Sequence, residues 1–123
     1  MNLREAAIPE ALEIAHTLVE TLDQKKGEDI LLLDLIGVCS FADYFVFCSG
    51  TSERMLKALA DEAQQAVKKQ HGINARNVEG TPDAGWILMD YGDVILHLFA
   101  PATREYYQLE ELWREGNILL RMH

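Results

Sequence analysis

Two hydrophobic periods alternate along the chain. Leu12, Ala15, Leu18, Val19 and Leu22 recur at helical spacing behind Pro9, a residue suited to a first helical position, and Gly27 breaks the pattern. An opening amphipathic helix over about 9–23 is predicted. "EDILLLDLIG" and "ADYFVFCSG" are short apolar runs closed by Gly37 and Gly50, and both read as strands in which Asp34 and Asp43 mark ends or a solvent face. The helical period returns in "GTSERMLKALADEAQQAVKKQHG". Thr51 or Ser52 supplies its cap, Glu53 sits in the first turn, and Lys68, Lys69 and His71 precede Gly72 in the last. Met55, Leu56, Leu59, Ala63 and Val67 form a narrow apolar line, as expected of a helix packed close on a sheet. "INARNVEG" gives a third, more polar strand, "TPDAG" a turn, and "GWILMDYGDVILHLF" a hairpin. After Pro101, "ATREYYQLEELWR" predicts a final helix with Tyr106, Leu109, Leu112 and Trp113 on one side, followed by Gly116 and a tail, "NILLRMH". This order predicts an α/β (α+β) fold, a mixed five-stranded sheet with flanking helices, and leaves the strand order open.

The hairpin carries the most information about function. Side chains alternate across a strand, so the parity of the loop decides which residues of the two arms share a face. An even loop, either Tyr91-Gly92 or Asp90 to Asp93, collects Ile87, Met89, Val94, Leu96 and Leu98 on one side. Trp86, Leu88, Asp90, Asp93, Ile95, His97 and Phe99 then fall on the other. The aliphatic side belongs against helices. Aromatics with a few charges have the composition of a protein interface, which makes the second side a candidate docking face. A three-residue loop with a bulge at Gly92 would scramble the two sets, and a loop or the last helix of the same chain is the alternative cover for Trp86 and Phe99.

Composition narrows the partner. The 123 residues suit one domain over 1–123, with about 1–8 as a lead-in and about 116–123 as a tail. Asp and Glu number 20 against 11 Lys and Arg, giving a net charge of -9, and no basic stripe runs along the sequence. Direct binding to DNA or other nucleic acid is disfavoured, and a basic protein is favoured. Cys39 and Cys48 lie among apolar neighbours without a C-x-x-C pair and read as core residues of a reducing compartment. No signal peptide or membrane span is expected, so the chain reads as cytoplasmic.

No catalytic constellation stands out. Asp90 and Asp93 flank a turn, where Asp is favoured for local hydrogen bonds, and His97 lies several residues down one arm. At ~3.3 Å per strand residue that is more than about 10 Å, too far for one metal shell, so neither metal nor cofactor is expected. "CSGTSERM" has Gly50 before a helix start, a weak phosphate-cradle signal lacking a P-loop lysine. Ser40, Ser49 and Ser52 have generic roles as turns and caps, and no D-x-D follows for two-metal nucleotidyl transfer.

Longer motifs carry a family resemblance. Ala42-Asp43-Tyr44-Phe45-Val46, Ser49-Gly50-Thr51-Ser52, Glu79-Gly80, the run from Trp86 to Val94, His97-Leu98-Phe99, and Arg104-Glu105-Tyr106-Tyr107 leading to Leu109-Glu110-Glu111-Leu112-Trp113 resemble the ribosomal silencing factor family, also called Iojap or RsfS. The resemblance implies a nucleotidyltransferase-like fold without its active site, and no enzyme activity. It implies binding to ribosomal protein uL-fourteen on the intersubunit face of the large ribosomal subunit. The small subunit would then be blocked from joining, and translation repressed under nutrient limitation and in stationary phase. A role in large-subunit biogenesis and a homodimer in the free state are also implied. A nucleotidyltransferase-like enzyme or nucleotide-binding protein is the rival reading.

Overall fold

The computed structural model describes residues 10–123, so Pro9 and the lead-in lie outside the described residues. In chain order the elements are α1 (Glu10–Gln24), β1 (Glu28–Asp34), β2 (Tyr44–Ser49), α2 (Glu53–His71), β3 (Asn77–Thr81), β4 (Trp86–Asp90), β5 (Val94–Phe99), α3 (Pro101–Tyr107), α4 (Leu109–Leu112) and β6 (Asn117–Met122). The strands form one mixed sheet ordered β3-β4-β5-β2-β1-β6, in which only β2 and β5 run parallel.

Local chemistry explains most boundaries. Ser52 caps α2 by accepting from the Met55 amide at 3.0 Å, and Gly72 ends it in the left-handed region at φ 69. Asp34 ends β1 and turns the chain, its Oδ1 accepting from the Ile36 amide at 2.9 Å. Alternation then sorts the sheet's side chains. Ile30, Leu32, Val46, Cys48, Ile87, Met89, Leu96 and Leu98 face α1 and α2 in the main core. A second cluster fills the opposite face, where Leu31, Leu33, Phe45, Phe47, Ile95 and Phe99 meet Leu109 and Trp113 from the C-terminal segment.

Two expectations are corrected. Among the described residues the sheet has six strands rather than five, because residues 117–122 of the expected tail pair antiparallel with β1. A register shift breaks the two-residue alternation there: Leu32 faces Leu120 and Leu33 faces Ile118, leaving Leu119 as the extra residue. The last helix is also not continuous. Gln108 adopts φ 46 and splits it into α3 and α4, which leaves Tyr106 and Leu112 exposed while Leu109 and Trp113 pack on the sheet.

Candidate docking face

The hairpin loop is even, but it sits one residue further along than Tyr91-Gly92. Trp86 stands opposite Phe99, Leu88 opposite His97 and Asp90 opposite Ile95. Tyr91 donates to the Val94 carbonyl at 2.9 Å, so the turn is Gly92-Asp93. Gly92 takes φ 89, which a side chain would resist, and its amide donates to Asp90 Oδ1 at 2.7 Å. Tyr91 is buried on the aliphatic side, which lengthens that arm. Asp93 thereby moves from the sheet face into the exposed turn.

Cross-strand rows bring the other predicted residues together with aromatics from β2. Leu33, Phe45, Ile95 and Asp90 make one row, and Leu31, Phe47, His97 and Leu88 the next. Ser49, Phe99 and Trp86 start a third. Burial is uneven along these rows: Trp86, Leu88 and Asp90 are half-buried, whereas Ile95, His97 and Phe99 are buried. Phe99 lies under Trp86, with ring centroids 4.7 Å apart, and Tyr107 of α3 covers Trp86 from above at 5.1 Å. The same chain thus covers part of the face.

His97 is the centre of this arrangement. Its ring stacks on Phe47 at 5.1 Å and meets the edge of Phe45 at 4.9 Å. Trp86 Nε1–H donates to His97 Nδ1 at 3.3 Å, which puts the imidazole proton on Nε2. Among the described residues the buried Nε2 has no hydrogen-bond partner, and burial lowers the pKa to about 3, so the ring is neutral at physiological pH. The indole has its donor satisfied from below and offers only apolar surface outward.

A depression of about 360 Å³ opens on this face, lined by Glu79, Gly80, Ala84, Trp86, Leu88, Thr103 and Tyr107. Gly80, at φ 85, lets β3 approach; a Cβ there would collide with the Trp86 carbonyl. Of these residues, Thr103 and Tyr107 reach the groove only through the way α3 folds back, which no pattern within the hairpin encodes. The Glu79-Gly80 pair was visible as a motif without a role.

A second depression, of about 620 Å³, lies beside Arg104. The guanidinium donates to Glu110 at 2.7 Å, to the Asp29 carbonyl at 2.7 Å and to Ser49 Oγ at 2.9 Å, and it lies 5.9 Å from the Phe47 ring centre. Arg104 thereby fastens α3 and α4 to β1 and β2, over the buried rings. Ser49 and Ser52, both from the weak phosphate-cradle motif, are engaged with Arg104 and the α2 cap respectively. Cys48 is buried, which pushes its thiol up to about 12 against the opposing pull of Arg104.

Comparison with known proteins agrees with the motifs. Residues 8–121 match the family model "Ribosomal silencing factor during starvation". A ribosomal silencing factor from Bacillus subtilis is 43% identical over 94 residues, covering 76% of this chain and 79% of that protein. A mouse protein named mitochondrial assembly of ribosomal large subunit protein 1 is 36% identical over 101 residues, covering 78% of this chain and 43% of the mouse protein. A crystal structure from Chromobacterium violaceum superposes with a TM-score of 0.81 at 37% identity, covering 86% of this chain and 88% of that one. This chain belongs to the ribosomal silencing factor family.

Proposed function

We propose that this protein is a ribosome-binding translational repressor that acts by occupancy rather than catalysis. The hairpin face docks on ribosomal protein uL-fourteen of the large ribosomal subunit, and the bound protein excludes the small subunit. The observation that carries this reading is the half-open apolar groove at Trp86, Leu88 and Tyr107, lined also by Glu79 and followed along β4 by Asp90, on a chain of net charge -9. Apolar anchors within an acidic rim suit a basic protein surface and repel bare ribosomal RNA. Trp86 and Leu88 make the contact, Asp90 and Asp93 pair with Lys or Arg of the partner, and Ile95, His97 and Phe99 form the layer that fixes the anchors. In the free protein a second copy covers the same groove, so dimerisation and docking compete.

The similarity to a mitochondrial protein named for large-subunit assembly supports a parallel role in large-subunit maturation. One silencing-factor domain over 1–123, with a nucleotidyltransferase-like fold lacking its active site, and a cytoplasmic location complete the reading. No helix among the described residues is long and apolar enough to cross a membrane, which is compatible with it.

The test is reassociation of purified small and large subunits, followed by sedimentation. The protein is expected to hold the large subunit free, and Leu88→Lys, at a half-buried position, to lose that effect while keeping a wild-type circular dichroism spectrum. Full inhibition by Leu88→Lys contradicts the proposed face. Nucleotide binding that depends on Ser52, Asp90 or Asp93 would favour the nucleotide-binding reading instead.

A further inference from the structure

We propose that the connection at 36–41, between β1 and β2, together with Leu112 and Ile118, forms a second contact surface for a basic protein segment on the same large-subunit partner; the proposal rests on the docking reading above. Ile36, Phe41, Leu112 and Ile118 are 58%, 60%, 73% and 58% exposed, a concentration of large apolar side chains at one end of the sheet. The fold brings them to that end by three routes. Phe41 rests edge-on against Trp113 at 5.9 Å and tilts over Phe45 at 6.1 Å. Leu112 is the last residue of α4, directly before Trp113, and Ile118 stands opposite Leu33 near the end of β1. Phe45 and Ile95 occupy one row of the sheet, so this surface continues the face that carries Trp86 and Leu88.

Charge identifies the occupant. The Asp43 and Tyr44 amides donate to the Asp93 carbonyl at 2.8 and 3.0 Å, and the Leu35 amide donates to the Asp43 carbonyl at 2.7 Å. These backbone bonds gather Asp34, Asp43 and Asp93 beside the apolar residues. Among the described residues, none of the three has a Lys or Arg nitrogen within 4.0 Å. Arg114, the nearest cation in sequence to Trp113, is directed to Glu111 at 4.0 Å, and Arg76 lies beside Gly92. The repulsion is felt within the cluster, where burial and then Asp93 and Asp34 raise the Asp43 carboxyl above its ordinary range. A Lys or Arg side chain brought in by a partner relieves it. A second copy does not, because a two-fold contact centred on Phe41 sets the three aspartates of one copy against the same three of the other. Nucleic acid is repelled for the same reason.

The test measures cosedimentation with purified large subunits at several salt concentrations. It compares the wild type, Leu88→Lys, the pair Ile36→Ser and Phe41→Ser, and the pair Asp34→Asn and Asp43→Asn, which leaves Asp90 and Asp93 of the first face intact. The apolar pair is expected to weaken binding about tenfold or more, the loss typical of removing interface anchors. The Asn pair is expected to weaken it about threefold at low salt and to flatten its salt dependence. Ile36→Ser alone repeats the test at an exposed site should the pair fail to fold. Absence of wild-type binding would overturn the docking reading itself. Loss of binding in Leu88→Lys with wild-type affinity in both surface pairs overturns this second surface alone. So does conversion of a free dimer to monomer by the apolar pair with affinity for the large subunit unchanged, since the surface would then belong to a second copy.

Discussion

Replacing His97 with phenylalanine removes a titratable group buried at the centre of the second sheet face. Burial takes the His97 pKa from 6.5 down to about 3. Between these values the unfolded chain binds a proton that the folded chain does not. The stability contributed by neutral His97 is therefore complete above pH 6.5 and is lost progressively as pH falls toward 3. Integrated from pH 8 to pH 5, the loss is about 2 kcal/mol. Urea unfolding of both proteins at these two pH values measures it. At pH 8 His97→Phe exchanges one buried donor without a partner, His97 Nε2–H, for another, Trp86 Nε1–H, so the two proteins should differ there by about 1 kcal/mol or less. The stability of His97→Phe should fall less between pH 8 and pH 5, by about 2 kcal/mol, than that of the wild type. Asp43, whose raised pKa works with the opposite sign, is present in both proteins and cancels. Parallel pH profiles for the two proteins would refute the buried neutral histidine.

Three further outcomes follow from the packing on the two faces of the sheet. Arg104→Ala leaves Glu110, Ser49 Oγ and the Asp29 carbonyl without their donor at a site where the arginine side chain is 11% exposed, and is expected to cost about 3 kcal/mol in urea unfolding, with Arg104→Lys recovering less than half. Gly80→Ala forces a side chain onto φ 85 and into the Trp86 carbonyl, so thermal unfolding should show a loss of about 1–3 kcal/mol together with weaker docking. A thiol reagent at pH 8 should modify only half-exposed Cys39 in the native protein and both cysteines after denaturation, because the Cys48 thiol is buried and pushed up to about 12.

Much of the site was legible because it depends on local parity. The segregation of Ile87, Met89, Val94, Leu96 and Leu98 from Trp86, Leu88, Ile95, His97 and Phe99 follows from an even loop, and the strand pairing has that parity. The loop's position was less legible: Tyr91 reads as a turn residue in sequence, yet burial of its ring extends the strand to the Tyr91–Val94 bond. Cover was not legible at all. Parity says which residues share a side, but Ile95, His97 and Phe99 are buried because Trp86, Trp113, Tyr107 and the Arg104 anchor close over them, contacts made across most of the chain. The sixth strand escaped for a local reason, since the bulge at Leu119 erases the alternation by which a strand is recognised. The parallel pairing of β2 with β5, which supplies Phe45 and Phe47 to the face, leaves no mark on either strand alone.

The most direct test of the docking account is the affinity of the Trp86→Ala protein for purified large subunits. Trp86 is half-buried and its one donor is satisfied within the chain, so the substitution removes an outward apolar anchor. Truncating such an anchor weakens binding by roughly 2 kcal/mol or more, about thirtyfold. Cosedimentation of wild type with the large subunit, lost in Trp86→Ala of unchanged circular dichroism, is the predicted result. Equal binding by the two proteins would contradict the account.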